Sequence, residues 1–199
     1  MKIFEAMFVA VLIQTTFLQA SFSMIDSYVE KDESSFWKSH YDIPAYSALI
    51  VVGIAGYEGT QTRLGKTAWK SIDAAIFSSL ATQGLKVLTR RVRPRYTDNP
   101  NFWEEKGTSF PSQHVAGMTA IITPFVLEYQ EDYPLVHLLW ALPVHQMIGR
   151  VKLHAHWQSD VLAGFAIGAI SGLVAHHNET PFILNITPDS MQVGFKHRF

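Results

Sequence analysis

Apolar residues recur at helical spacing along most of this chain, in segments separated by stretches rich in polar residues, glycine and proline. Apolar positions three or four residues apart lie on one side of an α-helix, so the pattern predicts helices that bury one face. Beyond residue 20, the pattern predicts an apolar run at 43–56 and helices at 67–89, 113–129, 134–151 and 161–176. The expected fold class is therefore all-α: a bundle of five helices, or six with the N-terminal segment.

Polar and turn-forming residues mark where these helices end. Residues 24–42 are mixed and polar, which suits a surface segment, and 57–66 contains two glycines typical of a loop. Ser112 is predicted to be the N-cap of the helix that follows it, and Ser159 or Asp160 that of the last helix. Frequent glycine and alanine in the last helix predict close packing against a neighbouring helix.

The N-terminus is typical of an export signal. Lys2 precedes an apolar stretch, 3–18, and Leu18-Gln19-Ala20 fits a cleavage site. An uncleaved membrane anchor would have the same residues. In either case the rest of the chain is expected to be exported or to face the exported side.

The C-terminal residues change to a β-type pattern. Residues 182–187 favour a strand, 188–190 favour a turn, and apolar residues alternate with polar ones over 191–195. A short hairpin is therefore expected. The predicted organisation is a signal peptide or anchor at 1–20, a helical domain at 21–180 and a tail at 181–199.

The lengths of the predicted helices do not decide between a membrane protein and a soluble one. The apolar cores of the predicted helices run about 14 to 17 residues, fewer than the roughly 20 needed to span a bilayer upright. The mean hydropathy of +0.09 is low for a protein with several membrane spans. Short tilted membrane helices and the buried helices of a soluble bundle both fit.

Composition narrows the classes of partner. The chain has 199 residues and a formal net charge of -1, so its overall charge argues against a nucleic-acid partner. Cysteine is absent, which excludes disulfides and thiolate metal sites. Positive charge is concentrated locally, in the run Lys86, Arg90, Arg91, Arg93 and Arg95.

This basic run contains the first of three clusters that could act together on a phosphate. Lys86 lies seven residues, about two helical turns, before Arg93-Pro94. Arginine and lysine are the side chains that best bind phosphate oxygens. A basic helix C-terminus, or a membrane flank, would look the same.

The second cluster, Pro111-Ser112-Gln113-His114, lies where a loop becomes a helix. Backbone N–H groups at a helix start point toward an incoming anion. Ser112 could add a hydroxyl donor and His114 could protonate a leaving group. The alternative is that Ser112 only caps the helix and His114 has no chemical role.

The third cluster is Arg150, His156 and Asp160. His156 and Asp160 are four residues apart, so they are neighbours if the segment is helical. A carboxylate that binds one imidazole nitrogen leaves the other free to act as a nucleophile. Arg150 could bind the same phosphate.

Other titratable residues are weaker candidates. The pairs His154/His156 and His176/His177 could suggest a metal site, but such sites usually need three or four ligands, so no metal is expected. Asp42 and Asp73 are isolated acids, predicted to lie at the surface or at helix flanks.

Taken in order, the three clusters resemble the signature of the type-2 phosphatidic acid phosphatase superfamily: K-x6-R-P, P-S-G-H and S-R-x5-H-x3-D. The similarity spans about 67–176. Gln113 stands where the signature has glycine, and Gly149 where it has the serine before Arg150. Neither departure removes a charged or titrating group.

The resemblance implies an all-α enzyme that hydrolyses phosphate esters in two steps without a metal or other cofactor. His156 would be the nucleophile, Asp160 would orient it, and His114 would protonate the leaving oxygen. The phosphate ligands would be Lys86, Arg93, Ser112, Gln113 and Arg150.

Four interpretations remain open at this point. The first is a phosphatase on the exported side of a bacterial envelope, in the periplasm or inner membrane, acting on a lipid phosphate such as phosphatidic acid, an isoprenyl diphosphate or a lipid A phosphate. The second is a soluble periplasmic acid phosphatase of broad specificity. The third, a vanadium haloperoxidase, is disfavoured by the short chain, and the fourth is an inactive scaffold.

Overall fold

The computed structural model describes residues 25–103 and 106–178, apart from the side chain of His40, and the backbone of two C-terminal strands. The predicted signal peptide or anchor at 1–20 lies outside the described residues. The elements in chain order are α1 (Ser35–Lys38), α2 (Ile43–Glu58), α3 (Arg63–Thr89), α4 (Gln113–Tyr129), α5 (Ala141–Lys152), α6 (Gln158–His177), β1 (Phe182–Thr187) and β2 (Ser190–Phe195).

The fold is the predicted helical bundle. Helix α4 packs against both α3 and α6, α3 and α6 also touch, and α2 covers the outer side of α3. One core cluster joins α2, α3 and α4, and its buried members are Val51, Ala55, Ala68, Met118, Ile121, Ile122 and Val126. Burial of these side chains stabilises the bundle by the hydrophobic effect.

Glycines let α6 approach α4 closely. A Cβ at Gly164 would overlap the backbone of Ser112, and a Cβ at Gly168 would overlap that of Ala116. The two glycines are one helical turn apart, so they form one smooth strip on α6. The predicted close packing of the last helix is thus confirmed.

The predicted starts of α3, α5 and α6 need correction, and with the first of these the loop between α2 and α3. Helix α6 begins at Gln158 with Trp157 at its N-cap, so neither Ser159 nor Asp160 is the predicted cap. The interval predicted as a loop at 57–66 is shorter, because Thr62 caps α3 by accepting a hydrogen bond from Gly65 N at 3.0 Å. The helix expected from Pro134 begins as a 3-10 segment, Pro134–Trp140, and becomes α-helical only at Ala141. This start leaves Pro143 in the first α-helical turn, where its missing N–H costs nothing.

The C-terminal hairpin is confirmed. Strands β1 and β2 pair antiparallel, with Leu184 opposite Val193 and Thr187 opposite Ser190. The predicted turn at 188–190 falls mostly outside the described residues.

Two acidic residues predicted to be surface residues are buried. Asp26, in the segment expected to be a polar surface stretch, is 8% exposed, and Asp73 is 2% exposed on α3. Asp73 is buried because α3 packs against three other helices, α2, α4 and α6. Asp42 is exposed, as predicted.

Within the described residues, α6 alone is long and apolar enough to cross a membrane by length and composition. Of its most apolar stretch, 44% is buried inside the bundle. Core helices of soluble proteins meet the same criterion.

Candidate active site

The three sequence clusters meet at one end of the bundle, where α3 and α5 finish and α4 and α6 start. The cluster residues at these helix ends are Lys86 in the last turn of α3, Ser112 just before α4, Arg150 in the last turn of α5 and Asp160 in the first turn of α6. The Ser112 N–H donates to the backbone oxygen of Asp160 at 3.0 Å, which ties the start of α4 to the start of α6.

Lys86 is directed into the loop that precedes α4. Its Nζ donates to Pro111 O at 2.6 Å and to Thr108 O at 2.8 Å. Arg93 reaches the same loop, since its Nη2 donates to Thr108 O at 3.3 Å. Burial, with the positive charges of Arg93 and Arg150, lowers the pKa of Lys86 to about 8, although Asp160 opposes the shift.

Ser112 occupies the N-cap position of α4 but its side chain does not cap the helix. The residue is completely buried, and its Oγ has no hydrogen-bond partner among the described residues. A buried hydroxyl without a partner costs about 1–3 kcal/mol, so the site is suited to a ligand that accepts this bond. The side chain of Ser112 therefore does not supply the predicted cap.

Gln113 and His114 form the first turn of α4 and point to different surroundings. Gln113 is half-buried: its Nε2 donates to Ser79 Oγ at 2.9 Å, and its Oε1 accepts from Gln83 Nε2 at 2.9 Å. The His114 side chain is exposed. The backbone N–H groups of this first turn have no partner within the helix and suit an anion.

Arg150 is 3% exposed, yet its Nε and Nη2 have no hydrogen-bond partner among the described residues. Its guanidinium lies over the Tyr41 ring, 5.3 Å from the centroid. Burial lowers the pKa of Arg150 to about 10, which still leaves the side chain charged at neutral pH. Two unsatisfied charged donors in a buried position are suited to an anionic ligand.

Asp160 is oriented by several donors at once. Its carboxylate accepts from Arg91 Nη1 at 2.7 Å, from Trp157 N at 2.9 Å and from Ser109 Oγ. Burial favours the neutral acid, but His156, Arg91 and Ser109 prevail and lower the pKa of Asp160. Asp160 is therefore a fixed carboxylate, placed at the third position of α6 rather than at its N-cap.

His156 lies next to this carboxylate. Its Nδ1 is 3.5 Å from Asp160 Oδ2, close enough for attraction but without hydrogen-bond geometry in this structure. The ring is 2% exposed, and this burial lowers the pKa of His156 to about 4 despite the opposing effect of Asp160. The imidazole is therefore neutral at pH 7, the form in which a ring nitrogen can act as a nucleophile.

A buried ion-pair network behind Asp160 was missed by sequence analysis. Arg91 lies between two carboxylates, Asp26 and Asp160, and all three side chains are fully buried. Ser159 also contacts Asp26, through its N and its Oγ, both at 2.7 Å. No local pattern pairs residues so far apart along the chain, so nothing in the sequence could have found Asp26.

The histidine pairs considered as metal ligands have other surroundings in the described part of the chain. There, no group of three or more His, Asp or Glu side chains is placed to hold a metal ion. His154 instead packs against the N-terminal segment, with Nε2 2.7 Å from Val29 O and Nδ1 3.3 Å from Tyr28 Oη. His177 Nδ1 lies 2.9 Å from Leu173 O, one turn earlier on α6.

Comparison with known proteins finds a relative by sequence and a neighbour by fold. A lipid A 1-phosphatase of Porphyromonas gingivalis is 30% identical to this chain over 132 residues, which are 65% of this chain and 27% of that protein. The chain thus spans about a quarter of the length of that relative. The crystal structure of Aquifex aeolicus LpxE shares the fold, with a TM-score of 0.52, 19% identity, and coverage of 68% of this chain and 84% of that one.

The family assignment rests on a match to a family model. Residues 67–182 match the PAP2 superfamily, the type-2 phosphatidic acid phosphatase group. That interval includes all three clusters and the helices α3 to α6 that position them. The chain belongs to the PAP2 superfamily.

Proposed function

We propose that this protein is a phosphatase that hydrolyses a phosphate monoester of a lipid through a phosphohistidine intermediate and without a metal ion. The observation that carries the proposal is the set of buried donors that lack an acceptor. Within the described part of the chain, Ser112 Oγ and two nitrogens of Arg150 have no hydrogen-bond partner, and all three atoms lie at the same end of the bundle. A phosphate group accepts several such bonds at once, and its negative charge offsets the cost of burying the arginine.

In the first step, Nε2 of His156 attacks phosphorus, so an N–P bond forms as the bond from phosphorus to the lipid oxygen breaks. Asp160 orients the ring by accepting from Nδ1–H. His114 gives a proton to the departing alcohol. In the second step a water attacks phosphorus and gives up a proton to His114, the N–P bond breaks, and inorganic phosphate leaves.

The remaining residues hold the phosphate oxygens. Lys86, Arg93 and Arg150 supply positive charge, while Ser112 Oγ and the N–H of Gln113 supply neutral donors. Charge grows on these oxygens as the reaction proceeds, so donors fixed in advance lower the barrier. Fixing them is the task of the helix ends, since each ligand lies in or next to a helix terminus.

The lipid nature of the substrate is inferred from the relative, which is named a lipid A 1-phosphatase. Apolar side chains exposed on several helices also favour association with a membrane. We place the protein in the bacterial cell envelope, with its site on the periplasmic side. A soluble acid phosphatase of broad specificity would act equally on small esters, and the experiment below separates the two.

The test is phosphate release by purified protein in metal-free buffer, from lipid phosphates and from small phosphate esters. We expect release from lipids, loss of at least about a thousandfold in His156→Ala, and an acid-labile phosphoryl group trapped on the wild-type protein after rapid quenching. His137→Ala is the matched control, because His137 is exposed on the 3-10 segment before α5. Substantial activity in His156→Ala would refute the nucleophile assignment, and dependence on added metal would refute the metal-free mechanism.

A further inference from the structure

An apolar groove runs between α2 and α3, away from the phosphate site. Its volume is about 250 Å³, and its lining includes Val51 and Val52 from α2 and Ile72, Ala75 and Ile76 from α3. Ser79 is the one polar side chain of the lining. Of the α3 residues that line the groove, Ser79 is also the closest in sequence to Lys86, seven residues or about 10 Å along the helix.

A second cavity, of about 620 Å³, lies at the phosphate end of α3. Its lining includes three basic side chains, Lys86, Arg90 and Lys106, and one amide, Gln83. This cavity therefore offers positive charge where the groove offers only aliphatic surface. The two cavities share α3 as a common wall.

Gln113 connects the two cavities. It hydrogen-bonds through Nε2 to Ser79, which lines the groove, and through Oε1 to Gln83, which lines the basic cavity. Because Ser79, Gln83 and Lys86 recur every three or four residues, they follow one face of α3. Along this face the order is aliphatic groove, polar amide bridge, basic cavity.

Apolar residues next in sequence to the groove lining are exposed. Leu49 and Ile50 of α2 are 67% and 63% exposed, and Leu80 of α3 is 65% exposed. An exposed apolar patch of this kind marks a place where a protein or a lipid binds. The neighbouring basic cavity favours a ligand that is apolar at one end and anionic at the other.

We propose that the groove between α2 and α3 binds an acyl chain of the lipid phosphate, with the amide of Gln113 beside the polar part that joins chain to phosphate. This inference rests on the proposed function, since it takes the phosphate to lie at Lys86. It gives Gln113 a role in specificity at the position where the family signature has glycine. The order of surfaces along α3 is the order of chemical groups in a phospholipid.

The test compares the long-chain and short-chain forms of one phosphatidic acid in detergent micelles. Ile76→Asn places an amide in the groove at a position that is already 39% exposed, so folding should tolerate it. We expect kcat/KM to fall about tenfold for the long-chain substrate, mainly through KM, and to stay unchanged for the short-chain one. Ile170→Asn on α6 is the matched control, because Ile170 is 62% exposed and outside the groove.

An equal loss for both chain lengths, or no preference for the long chain in the wild type, would overturn the groove assignment while leaving the phosphatase intact. Photo-crosslinking tests the groove without turnover, using phosphatidic acid that carries a diazirine near the end of one acyl chain. We expect label on peptides from 43–58 and 63–89 that Ile76→Asn reduces. Label confined to α6 would overturn the inference even if no substrate were hydrolysed, and groove labelling without hydrolysis would count against the proposed enzyme alone.

Discussion

At the scale of single residues, burial sets the protonation states that the proposed chemistry needs. His156 is neutral at pH 7 because burial lowers its pKa to about 4, and Lys86 keeps its proton up to a pKa of about 8. Nucleophile and phosphate ligand are therefore both in the required form between these two values.

His156 and Lys86 both contribute to the pH dependence of kcat/KM, beside the proposed acid His114. Below about pH 4 the imidazole of His156 is protonated, and above about pH 8 Lys86 is neutral, so activity should fall on both sides. Lys86→Arg should move the alkaline limb to higher pH, because arginine holds its proton far more tightly. An alkaline limb that stays in place in Lys86→Arg would contradict the assignment of that limb to Lys86.

The lowered pKa of His156 also makes the free energy of unfolding depend on pH. The pKa of His156 is lower in the folded protein than the ordinary histidine value of 6.5, so the unfolded chain binds the proton more tightly. The stability that the neutral imidazole of His156 contributes is fully present above about pH 6.5, and it is lost as the pH falls through about 4. Wild type should therefore lose more free energy of unfolding than His156→Ala over that interval, as measured by urea denaturation.

At the scale of elements, the segment before α1 supports the site from behind. Asp26 binds Arg91 and Ser159, Tyr28 contacts His154, and the Asp32 N–H donates to Lys152 O at 3.1 Å. These contacts hold the end of α5 and the start of α6 against the loop after α3. Asp160 keeps its orientation because Arg91 is itself held on the other side.

Asp26→Asn tests this support with little change in shape. The substitution leaves Arg91 with one carboxylate instead of two, and breaking a buried ion pair costs about 3–5 kcal/mol. We expect a lower free energy of unfolding in urea and a lower kcat with KM nearly unchanged, because Asp26 is placed behind Asp160 and away from substrate. Glu30→Gln, an exposed residue of the same segment, is the control. A kcat equal to that of wild type in a folded Asp26→Asn protein would show that Arg91 needs only Asp160.

At the same scale, the close contact between α4 and α6 positions part of the proposed site. An alanine at Gly164 would place its Cβ against the carbonyl of Ser112, which belongs to the proposed phosphate site. Glycine to alanine in a helix usually stabilises by up to about 1 kcal/mol, but overpacking costs about 1–3 kcal/mol.

Gly164→Ala should therefore lower both the melting temperature and phosphatase activity. Gly117→Ala on α4 should lower neither, because no described atom beyond the adjacent residues and the backbone of α4 itself lies within 4 Å of the added methyl group. Circular dichroism melts and phosphate release measure the two effects. A Gly164→Ala protein as stable and active as Gly117→Ala would refute the close-contact argument.

At the scale of the whole molecule, a large part of the described surface is apolar. Large apolar side chains are exposed on several helices, among them Leu49, Leu80 and Ile170. Exposed apolar area of this extent favours burial against lipid. We therefore expect the protein to remain with the membrane fraction after washing with salt and carbonate. Release into the supernatant would favour the soluble acid phosphatase instead.

The sequence by itself determined the all-α class, most helix bounds, the terminal hairpin, the family and the candidate site residues. These follow from interactions between residues close along the chain, such as the apolar spacing of α3, or from motifs like the one that contains His156 and Asp160. Helix 113–129 was predicted to the residue because a loop, a polar N-cap position and a long apolar run coincide there.

Tertiary structure alone decided what lies behind and beside those residues. The pairing of Asp26 with Arg91, the link from Gln113 to Ser79 and Gln83, and the free hydroxyl of Ser112 all depend on how whole helices pack. Partners tens of residues apart meet only after the bundle has formed, and a single sequence carries no local pattern for such a contact. A buried carboxylate such as Asp26 therefore looks like a surface residue until packing shows the arginine that it binds.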